Sequence, residues 1–293
     1  MPGLKEVRIR LASVKSTQQI TSAMKMVSAS KLKRAHNAIF KIRPYSGKLK
    51  EILENLNAEQ FGDDNIFSKE QKSNKILVVP VTSNRGLCGA FNANVIKAVV
   101  ALICNKFEKQ YKCGNLDIYC IGKKSSDFFT KRKFNVIENN SRIFDKLSFE
   151  NASVISEFLM NSFIQGKYSK IIIVYNQFKN AAVQILTTEQ FLPSVKNKSS
   201  ENKTKQLSDY LFEPGKKQII NELIPKSLKI QLYKILLDSF AAEHGARMTA
   251  MHKATDNADT LLKDLKLSYN KARQAAITKE ILEIVGGAEA LKG

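Results

Sequence analysis

The sequence predicts an α/β fold: very long N- and C-terminal helices, the second with coiled-coil periodicity, plus a doubly wound domain with a mainly parallel sheet. Three observations predict it. First, the chain from 226 to 285 repeats apolar or small residues at Leu237, Phe240, His244, Met248, Met251, Thr255, Ala258, Leu262, Leu265, Tyr269, Ala272 and Ala276. The steps alternate between three and four, with one extra four from His244 to Met248, which is a heptad seam carrying one stutter. Second, residues 4–57 also read as helix. At 1.5 Å per residue each terminal helix would extend about 80–90 Å, whereas a compact globule of this length would be about 50 Å across. A rod therefore projects from a body. Third, short apolar runs alternate with amphipathic stretches between these ends, the pattern of strands joined by crossover helices.

The first helix starts near Gly3-Leu4. Leu4, Val7, Leu11 and Val14 form one seam, and Ile20, Met24, Val27 and Lys31 continue a displaced one, a break in phase that implies local unwinding. Gln18, Gln19, Thr21, Ser22, Ser28 and Ser30 fall where a self-contained hairpin would want Leu. Arg43-Pro44 is expected to kink or interrupt the helix, and Leu49, Ile52, Leu53 and Leu56 resume the spacing. Residues 57–74, with Gly62-Asp63-Asp64-Asn65, read as a loop. Lys75 to Thr82 is a buried strand, followed by the turn Ser83-Asn84-Arg85-Gly86-Leu87-Cys88-Gly89. A helix through Val95, Val99, Leu102, Ile103 and Phe107 comes next. Leu116–Ile121 is a strand, Ser125–Lys133 a short helix and Phe134–Glu138 a strand. A further helix covers 149–165. Ile171–Tyr175 and Ala181–Leu192 form a hairpin around Lys179-Asn180. Residues 194–208 are polar and read as a mobile excursion. The domain organisation is thus 1–57 as N-terminal coiled-coil helix, 58–225 as body and 226–293 as C-terminal coiled-coil helix.

The formal charge is +20, from 47 basic and 27 acidic residues among 293. Such an excess favours an anionic partner. Nucleic acid is the common reading for a basic chain, but Trp is absent and the terminal helices lack the interleaved aromatics that stack bases. Cys88, Cys104, Cys113 and Cys120 form no CxxC pair and have no His at metal-ligand spacing; reduced thiols suit a reducing compartment. No apolar run reaches the length of a membrane span, and helical amphipathicity begins too early to leave room for a removable presequence.

The turn Ser83–Gly89 occupies the place where doubly wound sheets bind phosphates. It is not GxGxxG and no GK[ST] follows, so a tight structural turn is the better reading. Cys88 has no sequence-adjacent base: His36, His244 and His252 all lie on the terminal helices. His244 falls on the apolar seam as a packing residue. Asp256 and Asp259 sit at a solvent-facing spacing suited to pairing with Lys253 and Lys263. A catalytic, metal or cofactor site does not emerge from these residues.

The quoted motifs do match a known family. Lys5-Glu6-Val7-Arg8, Ile20-Thr21-Ser22-Ala23-Met24-Lys25-Met26-Val27-Ser28-Ala29-Ser30-Lys31 and Arg43-Pro44-Tyr45 resemble the opening helix of the gamma chains of F-type ATP synthases. Arg85-Gly86-Leu87-Cys88-Gly89 resembles that family's RGLCG turn. Glu243-His244-Gly245-Ala246-Arg247-Met248, Ala254-Thr255-Asp256-Asn257-Ala258 and Tyr269-Asn270-Lys271-Ala272-Arg273-Gln274-Ala275-Ala276-Ile277-Thr278 resemble its closing helix. The likeness runs through the chain in order. Asn84 stands where an aspartate is common, and Gly245 replaces a usual alanine, a change expected to loosen an exposed helix by about 1 kcal/mol. The long redox-regulatory insertion of chloroplast members is missing.

The resemblance implies a long antiparallel coiled coil of the N- and C-terminal helices, a Rossmann-like body and a non-catalytic central-stalk rotor. Its partners would be a ring of three alpha and three beta subunits, the epsilon subunit and the membrane c-ring, without nucleic acid or a cofactor, and with membrane contact only through the c-ring. The site would be peripheral on the cytoplasmic face of a bacterial inner membrane. An asymmetric shaft biases each catalytic beta subunit differently, and rotation moves that bias around the ring. By similarity the torque contacts with beta are Arg273, Gln274, Thr278 and Glu280 on the closing helix, with Met24 and Lys25 facing them on the opening helix. Tyr210 and Glu213 are implied in the foot that meets epsilon and the c-ring. Two other readings stand beside this one: a basic nucleic-acid-binding protein with helical arms, and an α/β phosphate-binding enzyme using the Ser83–Gly89 turn.

Overall fold

The computed structural model describes residues 4–57, 67, 71, 73–193 and 216–290. The expected loop at 57–74 and the excursion at 194–208 therefore lie almost wholly outside the described residues, as do Asp63, Asp64, Tyr210 and Glu213. The chain divides into two compact units. One joins the residues up to Ala29 with those from Arg247 onward; the other is Ser30–Ala246.

The larger unit is built on a five-stranded sheet in the order β3-β2-β1-β4-β5. Its strands are β1 (Ile76–Pro80), β2 (Leu116–Cys120), β3 (Val136–Asn139), β4 (Lys170–Phe178) and β5 (Gln184–Leu192). The first four run parallel and β5 returns antiparallel to β4. Between β1 and β2 lie α2 (Phe91–Lys106) and the short α3 (Glu108–Lys112); α4 (Lys123–Lys131) precedes β3, and α5 (Phe149–Ile164) precedes β4. Sequence periodicity missed two elements, α3 and a 3₁₀ turn at Arg142–Phe144. Each is under two turns long, too short to show a periodic stripe.

The strands are apolar on both sides because both faces are covered, as parallel sheets require. Alternate residues divide between two cores. Leu77, Val79, Tyr119, Ile171, Ile173 and Tyr175 pack with Ile155, Leu159 and Phe163 of α5 and with Leu228, Leu232, Ile235 and Leu236. Ile76, Val78, Ile118, Cys120, Ile172 and Val174 face the other way, onto Val95, Val99 and Ile103 of α2 and Phe129 of α4. Burial pushes the Cys120 thiol up to about 11 and the Tyr119 phenol up to about 12. Both side chains therefore act as core residues.

The terminal helices are α1 (Leu4–Asn57) and α6 (Lys216–Ala290), of 54 and 75 residues. Contrary to expectation, Pro44 does not end α1, which runs unbroken through it. An interior proline costs about 3 kcal/mol, and apolar anchors on both sides of it offset that cost. Ala35 and Ile39 pack with Leu237 and Ala241, with Ile42 against the same cluster, and Leu49 is buried beyond the proline. Pro225 likewise sits inside α6.

Gly245 also departs from expectation. It is buried, and a Cβ there would lie 3.2 Å from the Ala181 carbonyl oxygen and 3.3 Å from Ala181 Cα. The glycine permits close approach of the β4–β5 hairpin to α6. It is a packing requirement, not a loosened surface turn.

Candidate functional site

The smaller unit pairs the first part of α1 with the last part of α6. Three side-chain contacts show that the segments run antiparallel, since numbers rise on one as they fall on the other. Gln18 Nε2 donates to Asp259 Oδ1 at 2.5 Å. Thr255 Oγ1 donates to Thr21 Oγ1 at 2.9 Å, and Thr21 Oγ1 donates to the Gln18 carbonyl at 3.0 Å. Lys25 Nζ lies 3.3 Å from His252 Nδ1, which is itself 3.4 Å from Asp256 Oδ1.

All twelve α6 seam positions named from the sequence are buried or half-buried. The displaced seam on α1 is not observed. Ile20 and Val27 are each 57% exposed and Lys31 is exposed, whereas Thr21 is 8% and Ser28 3% exposed. Burial instead recurs through Leu4, Val7, Leu11, Val14, Gln18, Thr21, Lys25, Ser28, Leu32, Ala35 and Ile39. That is an unbroken three-four alternation with no phase break. The apolar residues misled the count because polar ones hold the inner positions. Those positions all find partners: Ser28 Oγ donates within its own helix to the Met24 carbonyl at 2.8 Å, and the three rungs above pair the rest across to α6. Counting heptad steps onward from Val14 without regard to polarity would have found them.

The same ladder corrects the expected carboxylate roles. Asp259 is half-buried and accepts from Gln18, so it belongs to the helix interface and not to a solvent-facing pair with Lys263. Asp256 is exposed and lies beside His252. In the larger unit, His244 is buried with its ring edge-on to Phe240, centroids 4.4 Å apart, a packing role.

Arg273, Gln274, Thr278 and Glu280 are all exposed on α6. Thr278 Oγ1 donates back to the Gln274 carbonyl at 2.9 Å. Apolar side chains stand around them: Ile277, Ile281, Leu282, Ile284 and Val285 are exposed, Ile284 by 71%. Met24 and Lys25 are half-buried, and Lys25 reaches His252. Tyr210 and Glu213 lie outside the described residues.

The second candidate, the turn after β1, is held by a closed polar network. Ser83 N donates to Asn92 Oδ1 at 2.9 Å, and Asn92 Nδ2 donates to Ser83 Oγ at 2.8 Å and to Cys88 Sγ at 3.2 Å. Cys88 is 1% exposed. The opening amides of α4, which point toward the same sheet edge, are taken up internally. Lys123 N donates to Asn84 Oδ1, Lys124 N to the Ser83 carbonyl and Ser125 N to Thr82 Oγ1, at 3.1, 3.2 and 3.0 Å. Amides so occupied do not offer the donors of a phosphate cradle. Asn84 has a further job, donating through Nδ2 to the Ser141 carbonyl at 2.7 Å. An aspartate there would accept from Lys123 N but supply no such donor. Gly122 lets the chain pass Thr82: its φ is +103°, and a Cβ would stand 2.0 Å from the Thr82 carbonyl oxygen. Leu87 adopts φ +62° and is exposed.

Comparison with known proteins agrees with this geometry. The ATP synthase gamma chain of Christiangramia forsetii is 58% identical over 294 residues, with both chains covered in full. That of Cytophaga hutchinsonii is 55% identical with 99% of each covered. In fold, the chain is similar to one in the Euglena gracilis mitochondrial ATP synthase, with a TM-score of 0.70 at 24% identity, covering 98% of this chain and 94% of that one. It is also similar to a chain of the central stalk and c-ring structure of the Tetrahymena thermophila mitochondrial ATP synthase, with a TM-score of 0.60 at 23% identity, covering 80% of this chain and 99% of that one. The sequence model of the ATP synthase family matches residues 3–291, and with whole-length relatives at such identity the chain belongs to that family, among its gamma chains.

Proposed function

We propose that this chain is the central rotor of an F-type ATP synthase, coupling ion flow through a membrane c-ring to conformational change at catalytic sites carried by other subunits. Whole-length relationship to gamma chains carries the reading. The physical support is the surface of α6. Ile277, Ile281, Leu282, Ile284 and Val285 are exposed within nine residues of one helix. Apolar side chains so concentrated call for cover by a partner, and a surrounding collar of alpha and beta subunits would supply it. Around them, Arg273, Gln274, Thr278 and Glu280 offer polar contacts. Exposed pairs contribute about 0–1 kcal/mol each, which suits contacts broken at every turn. Met24 and Lys25 on the opening helix form a separate contact and do not face these residues, since Lys25 lies beside His252, about 30 Å along α6 from Arg273. The internally occupied amides at the start of α4, beside the Ser83–Gly89 turn, disfavour the phosphate-binding reading.

The remaining assignments follow the same reading. Tyr210 and Glu213 belong to the foot that meets epsilon and the c-ring. No helix among the described residues is long and apolar enough to cross a membrane; the subunit is held at the cytoplasmic face of a bacterial inner membrane through its partners. The test is Arg273→Ala with Gln274→Ala in a fully assembled complex. ATP synthesis or ring-driven hydrolysis should fall while the isolated chain keeps its helical signal. Unchanged turnover in that complex would reject these positions as torque contacts.

A further inference from the structure

His252 stands in the smaller unit between two opposite charges. Its Nδ1 lies 3.3 Å from Lys25 Nζ on α1 and 3.4 Å from Asp256 Oδ1, one turn along α6. One ring nitrogen cannot serve both neighbours in the same protonation state. A bare Nδ1 accepts a hydrogen bond and suits the Lys25 ammonium. A protonated Nδ1 donates one and suits the Asp256 carboxylate. Imidazole is the side chain whose charge changes between about pH 5 and 8, so a modest change in acidity selects between the two partners.

The surroundings leave that selection to these three groups. Among the described residues the smaller unit is built from α1 and α6 alone. On α1 the positions one turn from Lys25 are Thr21, Ser22, Ser28 and Ala29, none of them charged. On α6, Asp256 is the one charged residue three or four positions from His252. Lys253 is adjacent in sequence and therefore projects from another side of the helix, and Asp259 accepts from Gln18. Lys25 itself occupies an inner position of the α1 seam and is half-buried. The helix pair holds its aliphatic stem, and the ammonium reaches the border of the seam. The side chains of His252 and Asp256 are 56% and 60% exposed, so solvent supplies and removes the proton.

We propose that His252 is a protonation-controlled positioning residue for Lys25. Neutral His252 carries its proton on Nε2 and accepts from Lys25 at Nδ1, which holds the ammonium against the helix pair. On acidification Nδ1 takes a proton from solvent and donates in a hydrogen bond to Asp256. The imidazolium then repels the ammonium, and Lys25 turns outward to an anionic group of a surrounding subunit. That last step rests on the rotor reading, in which Lys25 is a contact with beta; the exchange of partners at His252 does not.

Two measurements test it. In the purified full chain, nitrogen magnetic resonance of the imidazoles reports which ring nitrogen is protonated, with the His252 signals identified by their loss in His252→Gln. At about pH 8 the parent should show a bare Nδ1 and a protonated Nε2. Lys25→Met fits the seam and removes the donor, and the neutral ring should then shift its proton toward Nδ1, bonded to Asp256. A protonated Nδ1 in the neutral parent, or no response to Lys25→Met, would overturn the proposal. In the assembled complex, His252→Gln keeps an acceptor for Lys25 and His252→Lys keeps a cation beside it. Helical ellipticity confirms that both fold. Their turnover should differ about two- to fivefold, the range that an exposed ion pair spans. The parent should follow His252→Lys at about pH 5 and His252→Gln at about pH 8, and with Lys25→Met added the two variants should coincide. Equal turnover of His252→Gln and His252→Lys at every pH, with Lys25 in place, would overturn the positioning role. Arg273→Ala with Gln274→Ala in the same assay separates the two readings: a loss there with no effect at His252 keeps the rotor and removes only the positioning of Lys25.

Discussion

The polar rung between Gln18 and Asp259 gives the sharpest test of how the terminal helices are held together. The perturbation is Gln18→Leu, Asp259→Leu and the two combined. The amide donates to a half-buried carboxylate at 2.5 Å. A hydrogen bond to a charged group contributes about 1.5–3 kcal/mol, and removing one partner exposes the other to an unpaired, partly desolvated state. Gln18→Leu should therefore cost about 1–2 kcal/mol, at the low end because Asp259 is not fully buried. Asp259→Leu should cost about 1 kcal/mol, since the stranded amide is neutral. The double variant replaces the rung with two apolar side chains at facing seam positions, which the heptad geometry accepts. It should return to within about 1 kcal/mol of the parent, giving a coupling of 1 kcal/mol or more in the cycle. The assay is urea denaturation of the purified chain, followed by helical ellipticity. If the two single losses simply add in the double variant, the rung does not hold the interface and the antiparallel register needs another cause.

Two further outcomes follow from the larger unit. Gly122→Ala places a Cβ 2.0 Å from the Thr82 carbonyl at φ +103°; displacement of the strand–turn junction should cost more than about 4 kcal/mol, read as loss of soluble chain or a large fall in Tm, and a parent-like Tm would refute the contact. Asp238 of α6 is 2% exposed, and burial raises its carboxyl pKa to about 6, partly opposed by Lys234 and Arg43 and reinforced by Glu189. A carboxyl raised above its usual 3.8 penalises the folded state once ionised: the penalty is absent below about pH 4 and complete above about pH 6. Asp238→Asn should thus stabilise the chain by about 2 kcal/mol at pH 8 and hardly at all at pH 4; a pH-independent difference would refute the assignment.

Much of this protein is legible in its residues alone. The apolar runs Ile76–Val79 and Ile171–Val174 announce buried strands, and the amphipathic stretches alternating with the strands announce a mainly parallel sheet with helices on its faces, whereas the strand order comes from the tertiary structure. The α6 seam is equally plain, because its inner positions are mostly apolar or small and burial follows the count at every one. The motifs at both ends identify the family, since each is long and they occur in order.

Tertiary structure decided what local pattern cannot contain. On α1 the hydrophobic residues Ile20 and Val27 point outward while Thr21 and Ser28 are buried; partners more than two hundred residues away pair with Gln18, Thr21 and Lys25, so hydropathy read along one strand of sequence gave the wrong face. Pro44 continues a helix because packed anchors on both sides outweigh a local penalty. Gly245 is fixed by a hairpin backbone distant in sequence. In each case the governing contact is long-range, and its energy exceeds the local preference from which a sequence is read.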